Sequence, residues 1–435
     1  MPTFDLIDWI HRFDPDTLDD AHLPQAKRCL LDLFGVAAAA TQTELATIAT
    51  RYVRSQHAGQ RPLLFSAGTA SESGVALHGA WLIDAFDAHD GQVLTKGHAG
   101  VALLPGLLAF AETEALSGRA FLGLLTLGYE IATRAGIALH ATACDYHTSG
   151  AWNALAVAAL GSKLLGLDRK RLQEALGIAE FYGPRSQMMR CIDHPTMVKD
   201  GSGWGAMSGV AASLLARDGF TGAPAVSVND DAVASIWGDL GQRWYVHEQY
   251  FKAYPVCRWA QPAVEAVLSL RESLGGAARI ESIDIHTFHE GVCLATANPD
   301  TTEQAQYSLP WPVACAAATG SVDAASVTHR LRDPALRALA RRVTMHRHAD
   351  YDARFPAERW AHAVITLDDG TRLTSAPCEA RGNPTNPLSD EEIGQKYRQL
   401  AEPVLGRKAS GLLETVMTLE SQPARDLLPW LRQSV

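Results

Sequence analysis

Apolar residues recur at helical spacing through most of the first 260 positions. The run from Pro24 to Ala40, PQAKRCLLDLFGVAAAA, opens on a proline and sets Cys29, Leu30, Leu33, Phe34 and Ala37 at that spacing, which predicts a buried helix. Gly74 to Ala88 continues the pattern, with Ala76, Gly79 and Ala80 small enough for neighbouring helices to pack closely, and it ends in the polar segment DAFDAHDGQVLTKGH. The runs VALLPGLLAFAETEALSG, FLGLLTLGYEIATRAGIALHA, AWNALAVAALGSKLLGL, DRKRLQEALGIAEFYG and GWGAMSGVAASLLARDG follow, rich in Ala and Leu and punctuated by Gly. They predict the stacked helices of an all-α domain.

After about Pro262 the texture changes. β-branched residues alternate with polar ones in ARIESIDIHTFHEG, VTMHRHAD and RWAHAVITLDDGTRLTSAP, where DDG signals a hairpin turn. Helical runs stand between them, WPVACAAATG and DPALRALARRV, and EEIGQKYRQLAEPVLG and LLETVMTLESQ return to helix at the end. The expected architecture is mainly α: a large all-α helical domain over 1–264 and 391–435, with a smaller α+β domain over 265–390 inserted between.

Composition narrows the function classes. The 435 residues hold 38 Lys and Arg against 48 Asp and Glu, a net charge of −10 with no long basic run, so nucleic acid and anionic membrane are poor partners. The longest uncharged apolar stretch, Val101 to Ala111, stops at Glu112, well short of the roughly 18 residues a bilayer span needs. The start, MPTFDLIDWIHRFDPDTLDD, has acids early and no cationic leader, and we expect a cytoplasmic protein. Cys29, Cys144, Cys191, Cys257, Cys293, Cys315 and Cys378 are dispersed without a C-x-x-C pair, which fits reduced, buried thiols rather than a zinc ribbon or disulfide framework.

Four segments carry candidate chemistry. Asp84, Asp87, His89, Asp90, Lys96 and His98 form the densest titratable cluster, set between two apolar runs. Such density favours acids and bases that shift one another's pKa, over a solvated loop. A metal held by His89, Asp90 and His98 is a weaker reading because close ligand spacing is missing. In ATACDYHTSGAW, Tyr146 and His147 precede a helix start, and in TMVKDGSGWGAMSG so does Lys199, both geometries able to grip a carboxylate at a helix N-terminus. In YFKAYPVCRWAQP, Lys252, Cys257 and Arg258 sit at the domain junction, with Arg258 suited to two-point carboxylate binding and Cys257 more plausible as a packed thiol than as a nucleophile. His140, His194, His286 and His289 read as isolated surface or core histidines.

Taken in order, LLDLFGVAAAA, FDAHDG with TKGHAG, GYEIATR, YHTSG, ALGIAEFYG, MVKDGSGWGAMSG with ARDGFTG, and FKAYPVCRW resemble the MmgE/PrpD family of 2-methylcitrate dehydratases, cis-aconitate decarboxylases and iminodisuccinate epimerases. The resemblance implies a homodimer acting on a small carboxylate, with its site at the domain interface and no obligatory metal or organic cofactor. FDAHDG and Lys96 depart from the dehydratase pattern and look more like the epimerase branch, which implies Lys96 and Tyr146 as opposed bases. The family's site histidines and lysines fall on His98, His147, Lys199 and Lys252, while Cys257 stands where a further histidine is expected. We therefore expect Lys96, Tyr146, His98, His147 and Asp90 as catalytic residues. Asp87, His89, Lys199, Lys252, Cys257 and Arg258 are expected to bind substrate. An epimerase is the first expectation, a hydro-lyase the alternative, then a decarboxylase, with a non-enzymatic binder last.

Overall fold

A computed structural model describes residues 5–110 and 116–432. Glu112 and the 111–115 end of the VALLPGLLAFAETEALSG run lie outside the described residues. Helix α1 (Leu23–Ala40) is buried almost all round, with Cys29, Leu30, Leu33, Phe34 and Ala37 fully enclosed. Its two buried charges are answered: Lys27 donates to the Met417 carbonyl (2.8 Å) and Lys396 donates to Asp32 (2.5 Å). Helix α2 (Glu72–Asp84) is capped by Ser71, and Gly79 lies where a Cβ would come within 2.9 Å of Pro105. Helices α3 (Gly100–Leu108), α4 (Gly118–Thr142), α5 (Gly150–Leu164), α6 (Arg169–Tyr182) and α7 (Ser202–Arg217) complete the stack.

The crossing of α5 and α7 is the closest. A Cβ at Gly150 would stand 2.2 Å from the Gly201 carbonyl oxygen, and one at Gly205 would stand 2.5 Å from that of Gly150. Gly150 of YHTSG and Gly205 of KDGSGWG are there for backbone-to-backbone contact, whereas Gly203 makes room for the Trp81 ring and Gly201 takes φ 69°.

Helix α8 (Gln261–Ser269) leads into the smaller domain. Its five-stranded sheet is built from β1 (Ile280–Thr287), β2 (Val343–Arg347), β3 (Trp360–Leu367), β4 (Arg372–Thr374) and β5 (Cys378–Glu379). The order is β2-β1-β3-β4, with β1 parallel to β2, antiparallel to β3, and β5 also on β3. Ile283, Ile285 and Thr287 are buried on the face that packs on helices; the DDG turn closes through Gly370 at φ 80°. On the outer face His286 is not isolated: it stacks between His346 and His362, ring centroids 4.8 and 4.5 Å apart. Helix α9 (Asp390–Leu405) then returns to lie along α1, where Lys396 reaches Asp32 and the Ala88 carbonyl. No described helix is long and apolar enough to cross a membrane.

Candidate active site

Helix α2 stops at Asp84, and the next fifteen residues turn back on themselves beneath the smaller domain. Gly91 exchanges backbone hydrogen bonds with Tyr250 (3.0 and 2.8 Å) and Gln92 donates to Gly97 (2.9 Å). The tight return forces Lys96 to φ 51°. Lys199 has φ 48°, so two of the three described non-glycine residues with left-handed backbone are candidate site lysines. Such conformations cost roughly 1–3 kcal/mol each and persist where the surroundings impose them.

His98 stands at the centre of an inner group. Its Nδ1 lies 2.5 Å from the Asp90 carbonyl oxygen, which can only accept, so the proton is on Nδ1 and Nε2 keeps a lone pair. Ser149 Oγ accepts from its backbone N–H (2.9 Å) and Asn153 donates to its carbonyl (2.9 Å), so α5 fixes the residue at both ends. Nε2 faces the Asp87 carboxylate at 4.0 Å. Burial, then the Lys252 ammonium, push the imidazole down to about 3, so it is neutral at physiological pH. His89 packs edge-on beside it at 4.4 Å, and burial holds it well below the ordinary histidine range too.

Asp87 and Lys252 form a buried ion pair. Burial alone would raise the Asp87 carboxyl, but the ammoniums of Lys252 and Lys199 overcome that and hold it well below the carboxylate range. Burial likewise disfavours the Lys252 ammonium, and Asp87 more than offsets it. Gln306 joins the domains here: its Oε1 accepts from the Asp87 N–H (2.8 Å) and Lys199 Nζ (2.6 Å), and its carbonyl accepts from the Cys257 N–H (2.7 Å). Lys199 also sits 4.8 Å from the Tyr307 ring centre.

The helix starts at α5 and α7 do not lie open for a substrate carboxylate, because the protein's own carboxylates fill them. Asp200 accepts from the N–H (3.0 Å) and hydroxyl of Ser149, and Asp84 accepts from the N–H groups of Asp200 (3.2 Å) and Ser202 (3.4 Å). Burial raises both carboxyls, with repulsion from Asp87 adding at Asp84 and repulsion from Asp84 adding at Asp200.

Lys96 and Tyr146 belong to an outer group nearer solvent. They touch rather than face each other across a space: Lys96 Nζ lies 4.6 Å from the Tyr146 ring centre, and the Tyr146 hydroxyl donates to the Lys96 carbonyl. Burial, then the nearby Arg359 charge, lowers Lys96, whereas burial raises Tyr146 and keeps its hydroxyl protonated. His147 stands next to them, its N–H donating to His140 Nε2 (3.3 Å); His140 also packs on Tyr146 at 5.3 Å, so it is part of this group rather than isolated.

Three expected residues have their groups turned elsewhere. The Asp90 carboxyl accepts from the Tyr129 hydroxyl, and burial beside Asp32 raises it to about 7; what it gives His98 is a backbone carbonyl. Arg258 gives its donors to Gln261, the carbonyls of Arg381 and Ala380, and Asn383, stapling the junction from within. Cys257 is buried and its thiol is pushed up to about 12, so no thiolate forms. Sequence reasoning missed Ser149, Asp200, Tyr250, Gln306 and Tyr307. Ser149 and Asp200 were within the quoted motifs, but Gln306 and Tyr307 lie in an unremarkable AQYSLP run. Among the described residues no group of three or more His, Cys, Asp or Glu is placed to hold a metal ion.

The profile of the MmgE/PrpD N-terminal domain matches residues 5–238, and that of the C-terminal domain matches 254–420. The chain belongs to the MmgE/PrpD family. Among curated relatives, the cis-aconitate decarboxylase of Mus musculus is 26% identical over 94% of this chain and 88% of its own length. That of Homo sapiens is 25% identical over 94% and 90%, and that of Aspergillus terreus 23% identical over 92% and 89%. This MmgE/PrpD protein is therefore similar to lyases along nearly its whole length, and both halves of its junction fall inside the matched segments.

Proposed function

We propose that this chain is a lyase acting on a small polycarboxylate, with His98 Nε2 as the base at a carbon next to a carboxylate. The observation that carries this reading is the state of His98: neutral, its Nδ1 proton committed to Asp90, its free nitrogen beside the Lys252–Asp87 pair. The nitrogen takes the proton, the C–H electron pair moves into the carboxylate as an enolate, and the Lys199 and Lys252 ammoniums offset the added charge. Hydroxide then leaves the adjacent carbon with its electron pair, forming the alkene, and takes the proton from His98 to depart as water. The inferred homodimer, the cytoplasmic location and a smaller domain over 265–390 belong to the same reading and draw on family likeness and sequence pattern.

A second reading, epimerisation by Lys96 and Tyr146, is favoured by the lowered Lys96. It requires the two to part, because the tyrosine hydroxyl is now spent on the Lys96 carbonyl.

Incubation with cis-aconitate and with 2-methylcitrate in D2O, followed by proton NMR, tests the choice. The lyase reading expects loss of water from 2-methylcitrate, or addition of water to cis-aconitate by the same steps in reverse, and a loss of turnover of about 100-fold or more in His98→Gln. Exchange of an α-proton with the carbon skeleton intact, surviving in His98→Gln and abolished in Lys96→Met, would replace it with the epimerase.

A further inference from the structure

Arg359 stands immediately before β3 and brings a guanidinium from the smaller domain into the junction. It is 5% exposed. Its Nε has no hydrogen-bond partner, and no hydrogen bond or ion pair to a described residue uses the rest of the fork. Its contact is the face of Phe355, at 6.0 Å. The other buried lysines and arginines each make at least one side-chain hydrogen bond: Lys27 to Glu420, Arg134 to Asp239 (its Nε unanswered too), Lys199 to Gln306, Lys252 to Asp87, and Arg258 to Asn383 and two carbonyls. A permanently charged, enclosed guanidinium with a buried Nε left unanswered is costly, and it is answered when a partner arrives.

The position says which partner. The Arg359 charge acts on Lys96 and Tyr146 in the outer group, and on Tyr250, Cys257 and Arg258 along the junction loop. The Glu379 carboxylate also feels it, but Glu379 is shared with Arg258 and accepts from Asn383 (2.7 Å). Lys96 too lacks a carboxylate partner among the described residues, its ammonium resting on the Tyr146 ring. The outer group thus holds two cations without an ion pair, which Glu290 and Glu379 reach only at longer range, while the inner group has its own Asp87.

We infer that Arg359 is the anchor for a second substrate carboxylate, remote from the carbon that His98 addresses. This rests on the polycarboxylate reading above and extends it: the ligand carries at least two carboxylates, one served by the inner lysines and one by the planar Arg359 fork, which suits two-point binding. A compound lacking that second carboxylate leaves the guanidinium buried and unpaired, so the site discriminates against it.

Calorimetric titration of the full chain with glutarate, and with butyrate, which lacks one of its two carboxylates, tests this. The wild type is expected to prefer glutarate by about tenfold or more, a preference that Arg359→Gln erases and Arg359→Lys reduces. An unchanged preference in either variant, or a wild type that does not favour glutarate, overturns the assignment. If Arg359→Gln does not fold, the lysine variant decides alone. Failure of the lyase reading has a different signature: Arg359→Gln loses the preference, yet the wild type turns over neither cis-aconitate nor 2-methylcitrate.

Discussion

The inner and outer groups of the site are built from the same residue types and are held in opposite ways. Around His98 each charge meets its counterpart within the protein: Asp87 with Lys252, Asp200 with Ser149, Asp84 with backbone N–H groups, Lys199 with Gln306. Around Lys96 the cations are left with ring faces. Burial alone does not set the difference, since Arg359 is as enclosed as Asp87. The inner ammonium of Lys252 has a carboxylate of the protein within ion-pair distance, whereas Lys96 and Arg359 have none and are left for a ligand to neutralise. The inner group is therefore machinery fixed in advance, and the outer group a binding surface completed by substrate.

Breaking the inner pair gives the largest effect. Asp87→Asn leaves the Lys252 ammonium buried and alone, so stability should fall by roughly 3–5 kcal/mol in urea denaturation, and the Asp87→Asn, Lys252→Met double variant should recover part of that loss. A loss in the double variant equal to the sum of the two single losses would show that the two groups are independent.

Arg258→Lys comes next. Its donors hold Ala380, Arg381 and Asn383 to the junction, so the lysine should cost about 1.5–3 kcal/mol of stability with KM for substrate little changed. A large rise in KM with full stability would move Arg258 to the substrate side.

The carboxylate pair sharpens the comparison through pH. Asp84 and Asp200 are raised first by burial, then by repulsion from Asp87 and Asp84 respectively, so the folded chain holds protons there that the unfolded chain has released. Their contribution is fully present below the ordinary carboxylate pKa and is lost as pH rises through the raised values. Asp200→Asn should therefore flatten the decline in Tm from mildly acid to mildly alkaline pH, by an amount worth about 1 kcal/mol. An unchanged slope would remove this pair as its source.

Lys96→Met should be smallest, within about 0.5 kcal/mol in stability, because the half-buried ammonium has no ion pair to lose. A loss comparable with that of Asp87→Asn would erase the distinction between the two groups.

The sequence was most legible where periodicity rules. The helices from α1 to α7 and the strands β1 to β4 fall where apolar spacing predicts them, since burial enforces both periods. Residue types also drew attention to the junction, and His98, Asp87, Lys199 and Lys252 do converge there. What could not be read was the direction of each side chain. Asp90 and Asp87 are three residues apart with the same carboxyl, yet one turns to Tyr129 and the other to Lys252. Arg258 drew notice through its motif, while Arg359, in the plain stretch AERWAH, is among the described residues the buried arginine whose side chain makes no hydrogen bond. Partners hundreds of residues distant decide such matters, and Gln306, which joins Asp87, Lys199 and Cys257, gave no local sign of it.

The protonation state of His98 tests the account most directly. Two-bond nitrogen–proton NMR on protein with 15N-labelled histidine, assigned against His98→Gln, reports which ring nitrogen carries the proton. The account predicts a neutral His98 at pH 5.5, with the proton on Nδ1 and none on Nε2. A doubly protonated ring at that pH, or a proton on Nε2, would contradict it.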